Sequence, residues 1–450
     1  MNSLIISLRK ATAFQILVFG YAAVTLIGAL ILSLPISSAQ GKHQPFIDSL
    51  FVATSGISTT GLSVIDIGSY YNLFGQIVLL CIFQIGGIGY MTFFICFAYL
   101  LKMDLPLITK AVARESLSGS DYRTLGRFFG FVLFFTAIFE VAGALSLTLF
   151  WWREFPLPKA AYLGLFHSVS AFCTAGFSTF SDNLTGYKSS PLVNLTIILV
   201  SLAGAIGFIV LYDICTYFIK LIKKQYPRRL SVHSKIVILV SLIVMFLGTA
   251  VILFAESWPA ETTFADRVMI SAFQSVSAST TDGCNTIDIG AMSPASLTYL
   301  MLLMFIGASP GSTGGGIKTS TFGLLLVFLW SQLKTAETGV NMFKRKIPSD
   351  LVYKAFGIFT WFVIVLVADM LILSVSEKAS YLQILFETVS ALGNTGLSTG
   401  ITPHLSAVGK IVLTVTMFIG RVGPLAAGFF LIGKQKPVSY EYATETIFIG

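Results

Sequence analysis

Eight long, charge-poor apolar segments are the feature that most limits how this chain can fold. Each is long enough for a helix, at roughly 20 residues, to cross the hydrocarbon core of a bilayer. With 55% hydrophobic and only 11% charged residues in 450, the chain cannot be a soluble enzyme, a disordered chain or a secreted disulfide scaffold. We therefore predict an all-α polytopic membrane protein. Its eight transmembrane helices are predicted at residues 14–34, 73–101, 128–152, 192–219, 236–255, 297–333, 355–375 and 411–432.

The basic residues predict which way the chain crosses the membrane. With the N-terminus placed in the cytoplasm, 20 of the 29 Lys and Arg residues lie on the cytoplasmic side and seven on the outer side. Lys318 and Arg421 fall within predicted spans. This asymmetry matches the positive-inside rule, so both termini are expected in the cytoplasm. The net charge of +8 is then a signal of topology, and no nucleic-acid partner is expected.

A shorter apolar stretch lies between the two spans of each pair, and all four stretches follow one frame. A phenylalanine is followed by a serine four residues later and by a glycine ten residues later. The frame is met by Phe51, Ser55 and Gly61, by Phe166, Ser170 and Gly176, by Phe273, Ser277 and Gly283, and by Phe386, Ser390 and Gly396. Ordinary helix-packing glycines explain so regular a pattern poorly. We therefore predict four repeats, at residues 1–110, 111–225, 226–345 and 346–433, followed by a cytoplasmic tail at 434–450.

The frame suits a re-entrant half-helix that ends inside the membrane. Such a helix directs its negative dipole end inward, and a glycine after it permits backbone angles closed to other residues. Carbonyl oxygens from four such loops can replace the water shell of a monovalent cation. Two crossings per repeat make the repeats parallel, which predicts helix, re-entrant pore loop, helix units around one pseudo-fourfold pore. An ion-coupled secondary carrier with a midplane binding site is the alternative.

These four motifs and this plan resemble the Trk/Ktr/HKT superfamily of potassium transporters over essentially the whole chain, most closely the Ktr-type membrane subunit. The resemblance implies potassium uptake across a bacterial plasma (inner) membrane, with K⁺ as substrate and Na⁺ as an activating or coupled ion. It implies no covalently bound cofactor and no enzymatic activity. It also implies a homodimer, with one pore in each subunit, bound to a cytoplasmic ring of nucleotide-binding regulatory subunits.

The family's filter motif can be carried over to each loop. The potassium-binding positions are then Thr59, Thr60 and Gly61, Thr174, Ala175 and Gly176, Thr281, Asp282 and Gly283, and Asn394, Thr395 and Gly396. A serine in place of the first glycine is typical of sodium-preferring plant relatives, so Gly61 favours potassium. Asp282 and Cys284 depart from the plainer pattern of residues 174–177. Asp282 is a candidate for attracting cations at the pore mouth.

The sixth span contains GASPGSTGGGIKTST, residues 307–321, with five glycines and a proline within ten residues. A nucleotide-binding Walker A motif is excluded because Ile317 separates Gly316 from Lys318. The glycines should break the helix at mid-depth, whereas the matching IGGIG, AGAIG and IGRVG segments are expected to stay helical. In the family the matching segment is an intramembrane loop that occludes the pore. The candidate gate residues are Gly307, Ser309, Pro310, Gly311, Gly314, Gly315, Gly316 and Lys318.

Ionisable residues inside predicted spans are candidates for function because their charge is costly in lipid. Asp213, Lys318 and Arg421 fall at comparable depths, and we expect opposite charges to pair across the cavity beside the gate. A plain structural ion pair is the alternative, as is a reach of Lys318 and Asp213 to the cytoplasmic interface. Glu140 and Asp369 are expected to make packing hydrogen bonds in outer helices.

Overall fold

The computed structural model describes residues 13–88, 122–226, 229–334 and 340–423. These residues form 15 α-helices and one two-stranded hairpin. The predicted tail and parts of the second and eighth predicted spans lie outside them. The helices are given below by the predicted repeat in which they fall.

In each repeat a helix of 21–30 residues comes first and a shorter helix follows it. The chain then continues in one main helix in repeats 1 and 4 and in two in repeats 2 and 3, among the described residues. Repeat 1 contains α1 (Ala13–Ser33), α2 (Phe46–Ile57), the single turn α3 (Ile67–Tyr70) and α4 (Leu73–Ile88). Repeat 2 contains α5 (Tyr122–Trp151), α6 (Leu157–Phe172), α7 (Pro191–Ala205) and α8 (Phe208–Ile222). Repeat 3 contains α9 (Val232–Ala255), α10 (Phe264–Thr280), α11 (Pro294–Ile306) and α12 (Thr319–Leu333). Repeat 4 contains α13 (Ser349–Ser376), α14 (Tyr381–Gly393) and α15 (Ala407–Val422). The antiparallel hairpin of β1 (Asn341–Met342) and β2 (Arg345–Lys346) crosses the boundary predicted at residue 345.

Several helices begin at a side chain that satisfies their first free N–H groups. At the start of α14, Ser380 and Gln383 each accept a hydrogen bond from the other's backbone N–H, which forms a capping box. At the start of α15, the Ser406 hydroxyl accepts from the Gly409 N–H. Ser406 in turn donates its hydroxyl and its N–H to Glu377, the residue after α13, at 2.5 and 3.0 Å. The C-terminal end of α13 is thus joined to the N-terminal end of α15.

Three described helices are each long and apolar enough to cross a membrane: the segment Gly130–Trp151 of α5, α9 and α13. A fourth span exists if the bent pair of α7 and α8 is counted as one. α4, α11 and α12 are apolar but shorter, as is the segment Val18–Ser33 of α1. The prediction of eight spans therefore stays a prediction for the remaining four.

The distribution of side chains is that of a protein surrounded by lipid. Large apolar residues such as Phe254 and Val375 are 83% and 89% exposed. The four frame phenylalanines, by contrast, are at most 1% exposed and anchor the short helices in the bundle, as expected from the frame. Phe83 of α4 stacks edge-on against Phe166 of α6, with ring centroids 5.6 Å apart. Packing of this kind joins neighbouring repeats around a polar centre.

Candidate functional site

All four short helices, α2, α6, α10 and α14, end in the same local geometry. The residue two positions before each frame glycine has a positive φ, between 51° and 58°. The N–H of the next residue donates to the carbonyl of the frame serine at 2.8–2.9 Å. Three of the four positive-φ residues are threonines, whose branched side chains disfavour this conformation. The residues are Thr59, Thr174, Thr281 and Asn394.

The frame glycines, here called the ring glycines, form a closed ring in chain order. A methyl group added at Gly61 would lie 2.6 Å from the Ala175 carbonyl oxygen, and one added at Gly176 would lie 2.5 Å from that of Asp282. At Gly283 it would overlap the Thr395 carbonyl, and at Gly396 that of Thr60. Each ring glycine therefore abuts the residue before the ring glycine of the next repeat, and the fourth repeat meets the first.

The frame serines hold the chain as it leaves the ring. Ser170 donates to the Phe177 carbonyl at 2.8 Å and Ser277 to the Cys284 carbonyl at 2.6 Å. In repeat 4 the direction is reversed, and the Ser390 hydroxyl accepts from the Gly396 N–H. The Ser55 hydroxyl is buried and has no hydrogen-bond partner among the described residues. The frame serines thus have a structural use in three repeats.

A second set of glycines lets α4, α7 and α15, here called the inner helices, approach the ring. Gly86 of α4 abuts the Ile57 carbonyl, Gly204 of α7 abuts that of Phe172, and Gly420 of α15 abuts that of Leu392. Each carbonyl belongs to the residue four before a ring glycine, and a Cβ would overlap it. The matching residue of repeat 3, Gly307, has a φ of +68° and turns the chain out of α11 instead. Repeat 3 departs from the pattern here because residues 307–318 form a non-helical loop between α11 and α12, here called the glycine-rich loop.

The glycine-rich loop lies directly against all four positive-φ residues and is hydrogen-bonded to three of them. Thr59 donates to the Thr313 carbonyl and Thr174 to the Thr313 hydroxyl, both at 3.2 Å. The Gly315 N–H donates to the Thr281 hydroxyl at 2.9 Å. In the fourth repeat, a Cβ added at Gly315 would lie 2.8 Å from that of Asn394. Thr313, which is fully buried, was not among the predicted gate residues.

The loop is also hydrogen-bonded to a break in repeat 2. The N–H groups of Ser309 and Thr313 donate to the carbonyls of Ala205 and Gly204 at 3.1 and 3.2 Å. The Phe208 N–H donates back to the Gly311 carbonyl at 2.9 Å. The prediction that AGAIG stays helical is therefore wrong, because α7 ends at Ala205 and α8 leaves it at an angle of 99°.

Two of the three intramembrane charges touch the loop. The Lys318 ammonium donates to the carbonyls of Gly314 and Gly315 at 2.5 and 3.2 Å. The Arg421 guanidinium donates to the Thr313 carbonyl and to that of Gly86, so it joins the loop to repeat 1. Backbone carbonyls thus satisfy the cationic groups in this low-dielectric setting.

Asp213 differs from the expectation that it pairs with Lys318 or Arg421. Its carboxylate accepts a hydrogen bond from Ser234 of α9 at 2.6 Å. The sequence could place the three charges at one depth but could not fix the direction of α8, which turns away after the break. Glu140 and Asp369 do make packing hydrogen bonds, with Gln84 at 2.8 Å and Thr416 at 2.6 Å.

Asp282 lies within the ring and not at an exposed mouth. The residue is fully buried, and its carbonyl faces Gly176. The side chain is therefore not at an exposed mouth, and its role in attracting cations stays a prediction. The described residues contain no group of three or more His, Cys, Asp or Glu side chains that could hold a metal ion. Most of the oxygen atoms gathered here come from the backbone and from hydroxyl groups, with the Asp282 carboxylate and the Asn394 amide beside them.

Comparison with known proteins gives a consistent result. The cation transport protein family TrkH matches residues 3–432. Ktr system potassium uptake protein B of Vibrio alginolyticus is 34% identical over 97% of this chain and 94% of its own. The protein of the same name from Bacillus subtilis is 34% identical over 98% and 97%, and potassium/sodium uptake protein NtpJ of Enterococcus hirae is 32% identical over 98% of both.

A solved structure shares the fold. The potassium transporter TrkH from Vibrio parahaemolyticus matches with a TM-score of 0.72 and 22% identity, over 93% of this chain and 84% of that one. The resemblance read from the four motifs is thereby confirmed. This chain belongs to the TrkH family of membrane cation transporters and is a transport protein, not an enzyme.

Proposed function

We propose that this chain takes up potassium ions through a pore whose selectivity filter is the ring built by its four loops. The observation that carries the proposal is the closed, chain-ordered contact among the ring glycines. Positive φ angles at those glycines allow neighbouring carbonyl oxygens to face one axis without a Cβ between them. A carbonyl ring of this kind replaces the water shell of a bare cation. The names of the full-length relatives, which are potassium uptake proteins, support the choice of ion.

The filter is built from the twelve residues predicted in the four loops, three in each. One ring glycine in each loop provides fewer ion sites than a longer run of carbonyls, so discrimination against sodium is expected to be incomplete. The short helices end beside the ring, which adds their negative dipole ends to the attraction for cations. Each repeat forms one quadrant of the ring, and Gly61 keeps the quadrant of repeat 1 free of a side chain.

The glycine-rich loop is proposed to be the gate, in the closed position. Its contacts with Thr59, Thr174 and Thr281 place Thr313 against the ring on the side of the inner helices. Lys318 stabilises the loop internally through hydrogen bonds to its Gly314 and Gly315 carbonyls. Arg421 of α15 holds the loop in place through the Thr313 carbonyl and also donates to Gly86 of repeat 1. Opening would require the Arg421 bond to Thr313, the bonds to the ring residues and the contacts with α7 and α8 to break together. A cooperative two-position gate follows.

The remaining features of the proposal come from the sequence. The cytoplasmic loops carry most of the basic charge, which suits docking of an acidic regulatory subunit by electrostatic steering. The final residues Ile447, Phe448 and Ile449 are apolar, which suits a homodimer interface. The name of the Enterococcus hirae relative includes sodium, which supports a role for Na⁺ as an activating or coupled ion. We place the protein in a bacterial plasma membrane with both termini in the cytoplasm.

The proposal is tested by flux of K⁺ and Na⁺ through the purified full-length chain in liposomes. Gly61→Ser should lower the potassium-to-sodium flux ratio by about tenfold, because a side chain there overlaps the Ala175 carbonyl. An unchanged flux ratio in folded variant protein would refute the assignment of the ring as the selectivity filter. Saturating flux with a fixed stoichiometry of coupled ions would instead support the secondary carrier.

A further inference from the structure

The residue after the frame phenylalanine is polar and buried in three of the four repeats. These residues are His167 in α6, Gln274 in α10 and Glu387 in α14, and each is at most 1% exposed. The first repeat has Val52 at the same position, also fully buried. Burying a polar group is costly unless it is hydrogen-bonded. Three such residues at one position of a repeat therefore point to a shared role.

Each of the three side chains reaches the segment that follows the ring glycine of its own repeat, here called the outer limb. The partners lie two to six residues beyond the ring glycine. His167 Nε2 lies 2.9 Å from the Ser178 hydroxyl, Gln274 Nε2 donates to the Thr286 hydroxyl at 3.1 Å, and Glu387 accepts from Ser398, Thr399 and Thr402. A side chain on the short helix thus fixes where the chain goes after the ring.

The outer limb of repeat 1 is held differently. Ser63 occupies the position that matches Ser178 and Ser398, two residues beyond the ring glycine. Its hydroxyl donates to the Ile65 carbonyl at 2.6 Å, within the limb itself, and the apolar Val52 cannot accept or donate. The four quadrants therefore differ in how tightly the limb is joined to its helix.

Glu387 makes the most extensive of these contacts. One carboxylate oxygen accepts from the Ser398 hydroxyl at 2.6 Å, the Thr399 N–H at 2.9 Å and the Thr399 hydroxyl at 3.3 Å. The other accepts from the Thr402 hydroxyl at 2.9 Å. A buried carboxylate is tolerated when its oxygens accept several hydrogen bonds, and such charge-assisted bonds are stronger than neutral ones.

We propose that His167, Gln274 and Glu387 are positioning residues that set the geometry of the carbonyl ring through the outer limbs, with Glu387 the strongest of the three. This inference rests on the proposed role of the ring as the selectivity filter. A binding site that separates two ions of similar size must be held to within about 0.5 Å, which requires support from behind the atoms that touch the ion. The fourth quadrant is then the most rigid and the first, with Val52, the most compliant.

The test compares potassium-to-sodium flux ratios in liposomes for full-length Glu387→Gln, Thr402→Val and the double variant. Glutamine keeps the size but loses the charge and one acceptor, so we expect the ratio to fall at least about threefold. Thr402→Val removes one of the same bonds from the other end and should lower the ratio less. The double variant should resemble Glu387→Gln, because both changes act on one network.

Glu377→Gln is the matched control. Glu377 is a glutamate of the same repeat that also accepts hydrogen bonds, but from Ser406 at the outer end of α15. The control should leave the ion ratio unchanged even if its melting temperature falls. If Glu387→Gln does not fold, Thr402→Val decides: a lowered ion ratio supports the inference, and an unchanged ratio overturns it.

Gly61→Ser separates failure of this inference from failure of the proposed function. If Gly61→Ser changes the ion ratio while Glu387→Gln and Thr402→Val only lower stability, the three residues are structural and the inference is overturned. If none of these variants changes the ratio, the ring is not the filter and the proposed function fails as well.

Discussion

Two glycines of repeat 4 show how differently one residue type can matter. Gly396 and Gly400 have φ angles of +92° and +93°, so a side chain costs each backbone about the same. They differ in what surrounds them. A Cβ at Gly396 would overlap the Thr60 carbonyl of the ring, whereas one at Gly400 would meet no atom within 4 Å. Alanine variants at these two positions therefore separate the effect of backbone strain from that of contact across the ring.

We predict that Gly396→Ala lowers potassium flux at least about tenfold, whereas Gly400→Ala, which strains only the outer limb, lowers it clearly less, although each loses roughly 1 kcal/mol of stability from the positive φ. Flux assays in liposomes and melting temperatures in detergent measure the two effects. Equal loss of flux in both variants would mean that strain alone, and not contact across the ring, accounts for the effect.

The sequence predicted the ring residues but not all of their neighbours. The frame of phenylalanine, serine and glycine is local, and each short helix keeps its own offsets, so the residues that meet at the centre could be identified. Thr313 and the partner of Asp213 depend on how elements from different repeats approach one another. A local sequence pattern does not predict such contacts between distant elements. The polar residue after the frame phenylalanine can be seen in three repeats of the sequence. Its role becomes clear only from its hydrogen bonds to the outer limb in the structure.

At the scale of elements, the two helix breaks support each other. The break between α11 and α12 was expected from its glycines and proline, but the break between α7 and α8 has no proline. A helix end leaves carbonyl and N–H groups without partners, and here the glycine-rich loop provides them to Gly204, Ala205 and Phe208. The sequence AGAIG permits a break, and the tertiary contact determines that it forms. This explains why composition alone did not predict it.

We predict that Gly207→Ala raises basal ion flux. Gly207 has a φ of +94°, and a Cβ there would lie 2.7 Å from the Pro310 carbonyl, so the change strains the break and pushes the loop away. A flux increase of at least about threefold is expected, since the strain of roughly 1 kcal/mol is removed when the loop leaves. Liposome flux without any regulatory subunit measures this.

Gly357→Ala in α13 provides a control for a glycine-to-alanine change that neither strains the backbone nor contacts the loop, because no atom lies within 4 Å of an added Cβ. The control should leave flux unchanged. Unchanged or lower flux in folded Gly207→Ala protein would count against the loop as a closed gate docked on the break.

At the scale of the whole molecule, the ring closes only if the first and last repeats meet. Asn394 donates to the Thr60 hydroxyl at 3.0 Å across the ring, although 334 positions separate the two residues in sequence. Farther out, the Lys410 ammonium of α15 lies 2.6 Å from the Asp48 carboxylate of α2. Both side chains are 17% exposed, so solvent screens this pair only in part. The ion pair therefore joins α2 of the first predicted repeat to α15 of the last.

We predict that Asp48→Asn, Lys410→Met and the double variant lower the melting temperature non-additively, with a coupling of about 1 kcal/mol between the two sites. Either single change leaves one charge partly buried without its partner. The double variant should therefore lose less stability than the sum of the losses in the two single variants. Thermal unfolding in detergent at low and high NaCl measures the coupling, which should weaken as ionic strength rises. Additive shifts at low salt would show that this pair does not stabilise the junction.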